Sequence, residues 1–170
     1  NLGLDLKGGI YIEMEVVMAD ALKNRADFLE GELTRLVARE SFKPQAISRV
    51  PNGTDIKVVL ARDEDRAAFE TFLDSNYRDV LQVVPTPAGQ ESGGAIIYLG
   101  LTQKFAAQTR DQTIDQAVRT IRNRIDRYGV AEPSIQRAGK NRIVVELPGV
   151  QDPERAIALV KRSGKLEFKM

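Results

Sequence analysis

The sequence predicts an α+β protein built from two tandem βαββαβ repeats, residues 1–86 and 87–170. Three observations support this prediction. The order of strand-like and helix-like patterns in the first half recurs in the second half. Gly8-Gly9 and Pro44 correspond to Gly93-Gly94 and Pro133. The offset between corresponding residues stays nearly constant, as a tandem duplication requires.

The first half begins with an alternating pattern. Apolar and polar residues alternate from Ile10 to Val16, which predicts a half-buried strand. Over residues 20–39 the apolar residues step by three and four, which predicts a helix with the stripe Leu22, Ala26, Leu29, Leu33 and Leu36. The remaining predicted elements are strands at 46–50 and 55–61, a helix capped by Asp63, and a strand at 80–84.

Two connections of the first half carry turn-forming residues. The turn Pro51-Asn52-Gly53 joins the two short strands, and Gly53 is able to take a positive φ. Residues 85–89 contain two prolines and a glycine, which predicts a linker between the repeats.

The second half repeats this order. A strand at 96–101 precedes a long helix that Thr102 caps and Gly129 ends in the left-handed conformation. The apolar stripe of this helix is Ile114, Ala117, Val118, Ile121, Ile125 and Tyr128. The other predicted elements are strands at 134–137 and 142–147, a helix capped by Asp152, and a strand at 165–169. A βαββαβ unit is the ferredoxin-like arrangement, with both helices on one face of an antiparallel sheet. The sequence leaves open whether the two repeats share one sheet.

The composition excludes several classes of chemistry. The chain has no cysteine and no histidine. These absences remove disulfides, thiol nucleophiles, the most common metal ligand and the most common general base. The net charge of +1 gives no overall attraction to nucleic acid or anionic lipid. No catalytic set, cofactor site or metal site is predicted.

Three local patterns have simple structural interpretations. The glycine-rich segment around Lys7 lacks the Lys-Ser/Thr pair of a phosphate-binding loop. The carboxylates Glu13 and Glu15 lie on the polar side of a strand, without a histidine partner. The arginines near the second long helix suggest RNA binding, but its strands lack base-stacking aromatic residues, so a solvated helix face is favoured.

Two segments resemble signature motifs of the SecD family. The first is Asn1-Leu2-Gly3-Leu4-Asp5-Leu6-Lys7-Gly8-Gly9. The second runs from Ile121-Arg122-Asn123-Arg124-Ile125-Asp126 through Gly129-Val130-Ala131-Glu132-Pro133 to Pro148-Gly149-Val150 and Leu166-Glu167-Phe168. The two segments occur in the order that the family shows.

The resemblance implies a role in protein export. In that family the protein works with SecF beside the SecYEG channel, with YajC as a further candidate partner. Proton-motive force drives a late stage of preprotein export across the inner membrane, and the chain would be a non-enzymatic periplasmic domain of a multi-pass membrane protein. The proton-carrying carboxylate would lie in membrane helices outside this chain.

The resemblance also gives candidate motif and hinge residues: Gly3, Leu4, Asp5, Lys7, Gly8, Gly9, Arg122, Arg124, Gly129, Glu132, Pro133, Pro148 and Gly149. Gly8-Gly9 and residues 85–94 are the expected sites of adaptable backbone. Three alternatives remain open: a periplasmic porter domain of an RND-type efflux pump, an RNA-binding ferredoxin-like module and a small ferredoxin-like hydrolase.

Overall fold

The computed structural model describes residues 9–150, 152–161 and 166–169. The described chain is α+β, as predicted from the sequence. The strands are β1 (Ile10–Val16), β2 (Ala46–Arg49), β3 (Ile56–Val59), β4 (Leu81–Val84), β5 (Ile96–Leu101), β6 (Ser134–Ala138), β7 (Arg142–Leu147) and β8 (Leu166–Lys169). The α-helices are α1 (Met18–Val37), α2 (Arg66–Tyr77), α3 (Gln103–Arg127) and α4 (Pro153–Lys161).

The chain forms two compact units, and each contains one four-stranded antiparallel sheet. Unit 1 comprises the chain up to Asp20 together with the chain from Arg110 onward, and unit 2 comprises Ala21–Thr109. The strand order is β6-β7-β1-β8 in unit 1 and β2-β3-β5-β4 in unit 2. Each half of the sequence therefore provides one central strand to the sheet of the other half.

This exchange of β1 and β5 differs from the arrangement expected for separate tandem repeats. The elements follow the predicted order along the chain, but the units do not coincide with residues 1–86 and 87–170. In unit 1, β1 pairs with β7 and β8, whereas β5 pairs with β3 and β4 in unit 2. Strand patterns predict which face of a strand is buried, but they do not specify its partner strand.

The core of unit 1 lies between one face of its sheet and two helices. Ile12, Met14 and Val16 of β1 are buried together with Ile143, Val145 and Leu147 of β7. Ile114, Ile121 and Ile125 of α3 and Ala156, Leu159 and Val160 of α4 belong to the same core. The predicted stripe of α3 is correct except at its end, because Tyr128 is 52% exposed. Its ring instead lies 5.4 Å from the Arg155 guanidinium.

The core of unit 2 combines aliphatic strands with an aromatic cluster. Ile56, Val58, Ile97 and Leu99 lie on the core face of the sheet, together with Leu29, Leu33 and Val37 of α1. Phe42 makes edge contacts with Phe69 and Phe72, with ring centroids 5.8 and 5.7 Å apart. The stripe of α1 ends on buried Val37, and the predicted stripe residue Leu36 is 38% exposed.

Some of the predicted helix caps and turns are confirmed and others are not. Thr102 Oγ1 accepts a hydrogen bond from Phe105 N at 3.1 Å, and Asp152 Oδ1 accepts one from Glu154 N at 3.1 Å, so both predicted caps are confirmed. Asp63 does not cap α2, because a 3₁₀ turn at Asp63–Asp65 precedes that helix. In the β2–β3 turn the positive φ of 63° belongs to Asn52, not to Gly53.

Candidate functional site

Pairing register brings several predicted motif residues to one end of the unit 1 sheet. Ile10, the first residue of β1, lies opposite Leu147, the last residue of β7. Ser134, the first residue of β6, lies opposite Glu146. The residues that flank these strand ends are Gly9, Glu132, Pro133, Pro148 and Gly149, which together we call the motif end of unit 1.

Turns with unusual backbone conformations surround the motif end. Gly129 ends α3 with φ 70°, and its N–H donates to Asp126 O at 3.1 Å, which confirms the predicted left-handed cap. Gly149 has φ 80° directly after β7. Glu132 has φ 52°, although it carries a side chain. Residues with Cβ atoms rarely adopt this conformation, so the surrounding fold must stabilise Glu132 in it.

The other predicted motif residues lie elsewhere or outside the described residues. Arg122 is exposed on α3, about one and a half turns before the helix ends. Arg124 is partly buried one turn before that end. Gly3, Leu4, Asp5, Lys7 and Gly8 lie outside the described residues.

Among the described side chains, the outer face of the unit 1 sheet carries three carboxylates and one arginine. Register places Tyr11, Glu13 and Glu15 of β1 beside Glu146, Val144 and Arg142 of β7. Arg142 Nη1 lies 2.8 Å from Glu13 Oε1, so Glu13 forms an ion pair across the two strands. An excess of carboxylates on an open sheet repels the phosphates of RNA.

Two arginines of the α3 region make local contacts. Arg137 donates to Asp111 at 2.9 Å and to Asp115 at 3.3 Å. These two carboxylates raise the pKa of Arg137, and the hydrogen bond to Asp111 has the largest effect. Arg119 donates to Gln116 Oε1 at 2.9 Å on the same helix. Such contacts are typical of a solvated helix face, which agrees with the interpretation favoured from the sequence.

In unit 2, residues 85–94 form a strap over the outer face of the sheet. The Tyr98 hydroxyl of β5 donates to Glu91 O at 2.6 Å. Lys57 Nζ of β3 lies 2.8 Å from Glu91 Oε1, and this hydrogen bond raises the pKa of Lys57. Tyr98 is consequently only 2% exposed, although it lies on the face opposite the core. The segment expected to link two repeats connects adjacent strands β4 and β5 within one unit instead.

The strap was missed from sequence, although one signal for it was present. Ala95 to Leu101 is an uninterrupted apolar run that lacks the alternation of a half-exposed strand. Such a run indicates a strand buried on both faces. Gly100 is also buried beneath its neighbours, and Asp55 Oδ1 lies close to its Cα hydrogens. Burial raises the pKa of the Asp55 carboxyl.

The described residues contain no arrangement typical of an enzyme metal centre. Across residues 9–150, 152–161 and 166–169, no three acidic residues converge as they would to hold a metal ion. In the same part of the chain, no helix combines the length and apolar character required to cross a membrane.

Comparison with known families gives two matches that map onto unit 1. Residues 1–20 match the SecD/SecF GG motif, and residues 114–170 match the N-terminal part of the P1 domain of the protein translocase subunit SecDF. These segments nearly coincide with the two chain segments of unit 1. Unit 2 lies between them, in the stretch that neither family model matches.

Individual relatives extend the similarity over the whole chain. The chain is 34% identical over 170 residues to the protein translocase subunit SecD of Pseudomonas aeruginosa. It is 36% identical over 168 residues to SecD of Haemophilus influenzae, and 32% identical over a 174-residue alignment to SecD of Escherichia coli. These alignments cover 99–100% of the chain and 26% of each relative. The chain therefore spans about a quarter of the length of these relatives.

Unit 1 has the element order βαββαβ and unit 2 the order αββαββ, and the segments that form unit 1 match models of protein translocase subunits. Full-length similarity to many SecD proteins makes the assignment more specific. The chain belongs to the SecD family.

Proposed function

We propose that this chain forms a non-catalytic periplasmic domain of a SecD subunit in the inner membrane. In this proposal it acts with SecF beside SecYEG, with YajC as a further candidate partner, and supports a late, proton-motive-force-driven stage of preprotein export. The observation that carries the proposal is the motif end of unit 1. Segments far apart in sequence, which match two SecD-family models, flank the ends of adjacent strands there.

The motif end has the properties of a structural junction. Its turns depend on Gly129 and Gly149 at positive φ and on the prolines that flank β6 and β7. Such turns fix chain direction because few other residues adopt these conformations. We propose that the segment Gly3-Leu4-Asp5-Leu6-Lys7-Gly8-Gly9 continues this junction and transmits force between unit 1 and the adjoining chain.

Alanine substitution tests the junction. We expect Gly8→Ala with Gly9→Ala to reduce export in living cells, because added Cβ atoms restrict the backbone. Pulse-labelled precursor, followed until its signal sequence is removed, measures the effect. The matched control is Gly31→Ala, since Gly31 lies in α1 with open space around its Cα. Normal folding and normal export in the double variant would contradict the junction proposal.

Photocrosslinking during arrested export tests whether the domain handles polypeptide. A photoreactive amino acid is placed at exposed Tyr11, Gln45 or Arg119 of the full-length protein, which samples both units. We expect adducts with a secretory chain stalled in the channel. The same positions with a precursor that lacks its signal sequence serve as the control.

The pattern of adducts decides between handling and support. Adducts with the stalled chain support the proposal for the unit in which they occur. Adducts with SecF, SecY or SecD alone, at all three positions, would overturn polypeptide handling by this domain and leave it as a base for another gripping surface.

The alternative functions have less support. An RND-type porter domain shares ferredoxin-like units, but the matched segments belong to SecD-family models. An RNA-binding module requires a basic or aromatic sheet surface, and the described outer face of unit 1 carries Glu13, Glu15 and Glu146. A small ferredoxin-like hydrolase requires convergent acid and base groups, and among the described carboxylates Glu13 and Glu91 instead pair with arginine and lysine.

A further inference from the structure

The two edges of the unit 2 sheet differ in how their backbone groups are satisfied. The sheet order β2-β3-β5-β4 leaves β2 and β4 at its edges. An edge strand has one side on which N–H and C=O groups lack strand partners. These groups either bond to side chains and water or receive another extended chain.

Hydrogen bonds beside β4 establish which of its groups point outward. Thr102 N donates to Val80 O at 3.0 Å, one residue before the register pair Leu81 and Leu101. On the other side of β5, Leu60 N donates to Ala95 O at 2.7 Å. Successive residues of β5 therefore bond alternately to β3 and to β4, which agrees with the bond from Thr102. Because antiparallel pairs alternate between bonded and non-bonded positions, the backbone groups of Leu81 and Val83 point away from β5.

The corresponding outward group on β2 is already occupied. Val50 N donates to Asp55 O at 2.7 Å, so by the same alternation Arg49 N points outward. Arg49 N donates to Glu30 Oε2 at 3.3 Å, and the Arg49 guanidinium pairs with Asp27 at 2.7 Å. Side chains of α1 therefore cover this part of the β2 edge.

The β4 edge lacks such protection within the described residues. No described side chain bonds to the outward groups of Leu81 or Val83, and no residue of β4 is charged. Val83 is 42% exposed and Gln82 is exposed beside it. Exposed edges in soluble proteins commonly carry lysine, an inward-pointing charge or a covering segment. Pro85 limits the edge on one side, because proline has no N–H to donate.

We propose that the β4 edge binds an extended, uncharged segment of a translocating polypeptide by β-strand addition. This inference rests on the proposed function and names the surface and chemistry by which unit 2 would contact its substrate. Main-chain hydrogen bonds provide the attraction in this mode, and side-chain pockets provide specificity. The β4 edge offers main-chain groups without a charged or deep apolar anchor. It therefore suits substrates of varied sequence better than one dedicated partner.

The length of β4 favours brief contacts. Four residues give two outward positions, so an added strand makes only a few main-chain hydrogen bonds. Each such bond contributes modestly in water. A transporter needs this weak, repeatable binding, because a tightly held substrate would not move on.

Removing one outward N–H tests the proposal. In the full-length protein in lipid nanodiscs, Val83→Pro deletes the Val83 N–H without removing a β4–β5 hydrogen bond, and proline is compatible with such edge positions. Binding is measured by fluorescence anisotropy with labelled, reduced and carboxymethylated α-lactalbumin, which stays unfolded. We expect Val83→Pro to weaken binding about tenfold. The matched control Val83→Thr keeps the N–H and the branched side chain and should bind as the wild type does.

A modified probe keeps the test valid if Val83→Pro fails to fold. The wild-type protein is offered a short, uncharged extended peptide whose backbone is N-methylated at alternate residues. Methylation on the side that meets β4 should abolish binding, whereas methylation on the other side should not. Equal binding of both peptides, or unchanged α-lactalbumin binding by folded Val83→Pro, would overturn strand addition at this edge.

Two further results separate this inference from the proposed function. Crosslinks to the stalled chain from Tyr11, Gln45 or Arg119, unchanged by Val83→Pro, would leave the proposed function standing and overturn the β4 site. Self-association of the wild-type protein that Val83→Pro abolishes, without binding of the unfolded probe, would show that a second copy occupies the edge and would also overturn it.

Discussion

Gly31 and Gly100 are both glycines, but the space around their Cα atoms differs. Gly31 lies in the middle of α1, and nothing lies within 4 Å of a Cβ built there. Gly100 lies in β5, where a Cβ would be 2.8 Å from Val84 Cγ1 and 3.2 Å from Asp55 Oδ1. A helical position therefore has room for a methyl group, whereas the strand position does not.

Alanine at these two positions should shift the free energy of unfolding in opposite directions. We expect Gly31→Ala to stabilise the chain by about 0.5–1 kcal/mol, because glycine in a helix loses more conformational entropy on folding. We expect Gly100→Ala to destabilise it by about 1–3 kcal/mol, because the branched Val84 side chain cannot move freely away. Urea unfolding followed by circular dichroism measures both changes. A stabilised Gly100→Ala would show that β4 and its strap rearrange without cost.

Local chemistry made some residues predictable and left others uncertain. Thr102, Asp152 and Gly129 were predicted because a cap depends on one side chain and its own helix end. The positive φ at Asn52 instead of Gly53 was not, because both residue types tolerate this conformation. The φ of 52° at Glu132 was not predicted either, because residues with a Cβ atom rarely adopt this conformation.

At the scale of the elements, the strap of residues 85–94 is held to the sheet by contacts that can be removed one at a time. Its Glu91 provides two contacts of different character. The backbone carbonyl accepts the hydrogen bond of the buried Tyr98 hydroxyl, whereas the carboxylate forms an exposed ion pair with Lys57. Buried hydrogen bonds contribute more than exposed ion pairs, because water screens the latter.

Removing each strap contact separately should show this difference. We expect Tyr98→Phe to lower the free energy of unfolding by about 1 kcal/mol and to speed amide hydrogen exchange over residues 85–94. The control Glu91→Gln should change stability by less than about 0.5 kcal/mol. If Glu91→Gln released the strap and Tyr98→Phe did not, the ion pair would be the main attachment.

The bounds of the elements followed from the sequence better than their partners did. The predicted strands 96–101 and 142–147 agree with β5 and β7 residue for residue. The partner strands of β1 and β5 were not predictable, because both strands present similar apolar faces to any sheet of the same design. The motif end was not predictable for the same reason, because its residues come together only through the pairing of β1 and β6 with β7.

At the scale of the whole molecule, the exchange of β1 and β5 determines which fragments can fold. Unit 2 is a continuous segment that holds all four strands of its own sheet. Residues 1–86 lack β5, which separates β3 from β4. Residues 87–170 lack β1, which separates β7 from β8.

We therefore expect residues 18–109 to fold alone and the two sequence halves not to do so. Thermal unfolding of the three fragments, with size measured by light scattering, tests this expectation. Residues 18–109 should give one cooperative transition as a monomer, because both central strands are present. A cooperative monomer of residues 1–86 would show that β1 can replace β5, which is the tandem arrangement first predicted from the repeats.

The same exchange has a consequence for synthesis from the amino terminus. β1 is made before the other described strands, but its neighbour β7 begins at Arg142 and β8 at Leu166. Such distant pairings are slow to form, because a long loop must close before they provide any stabilisation. On a growing chain, all of unit 2 can be synthesised while β1 still lacks both neighbouring strands. Among the described strands, β1, which directly follows the glycine pair, therefore has the longest interval between its synthesis and its pairing.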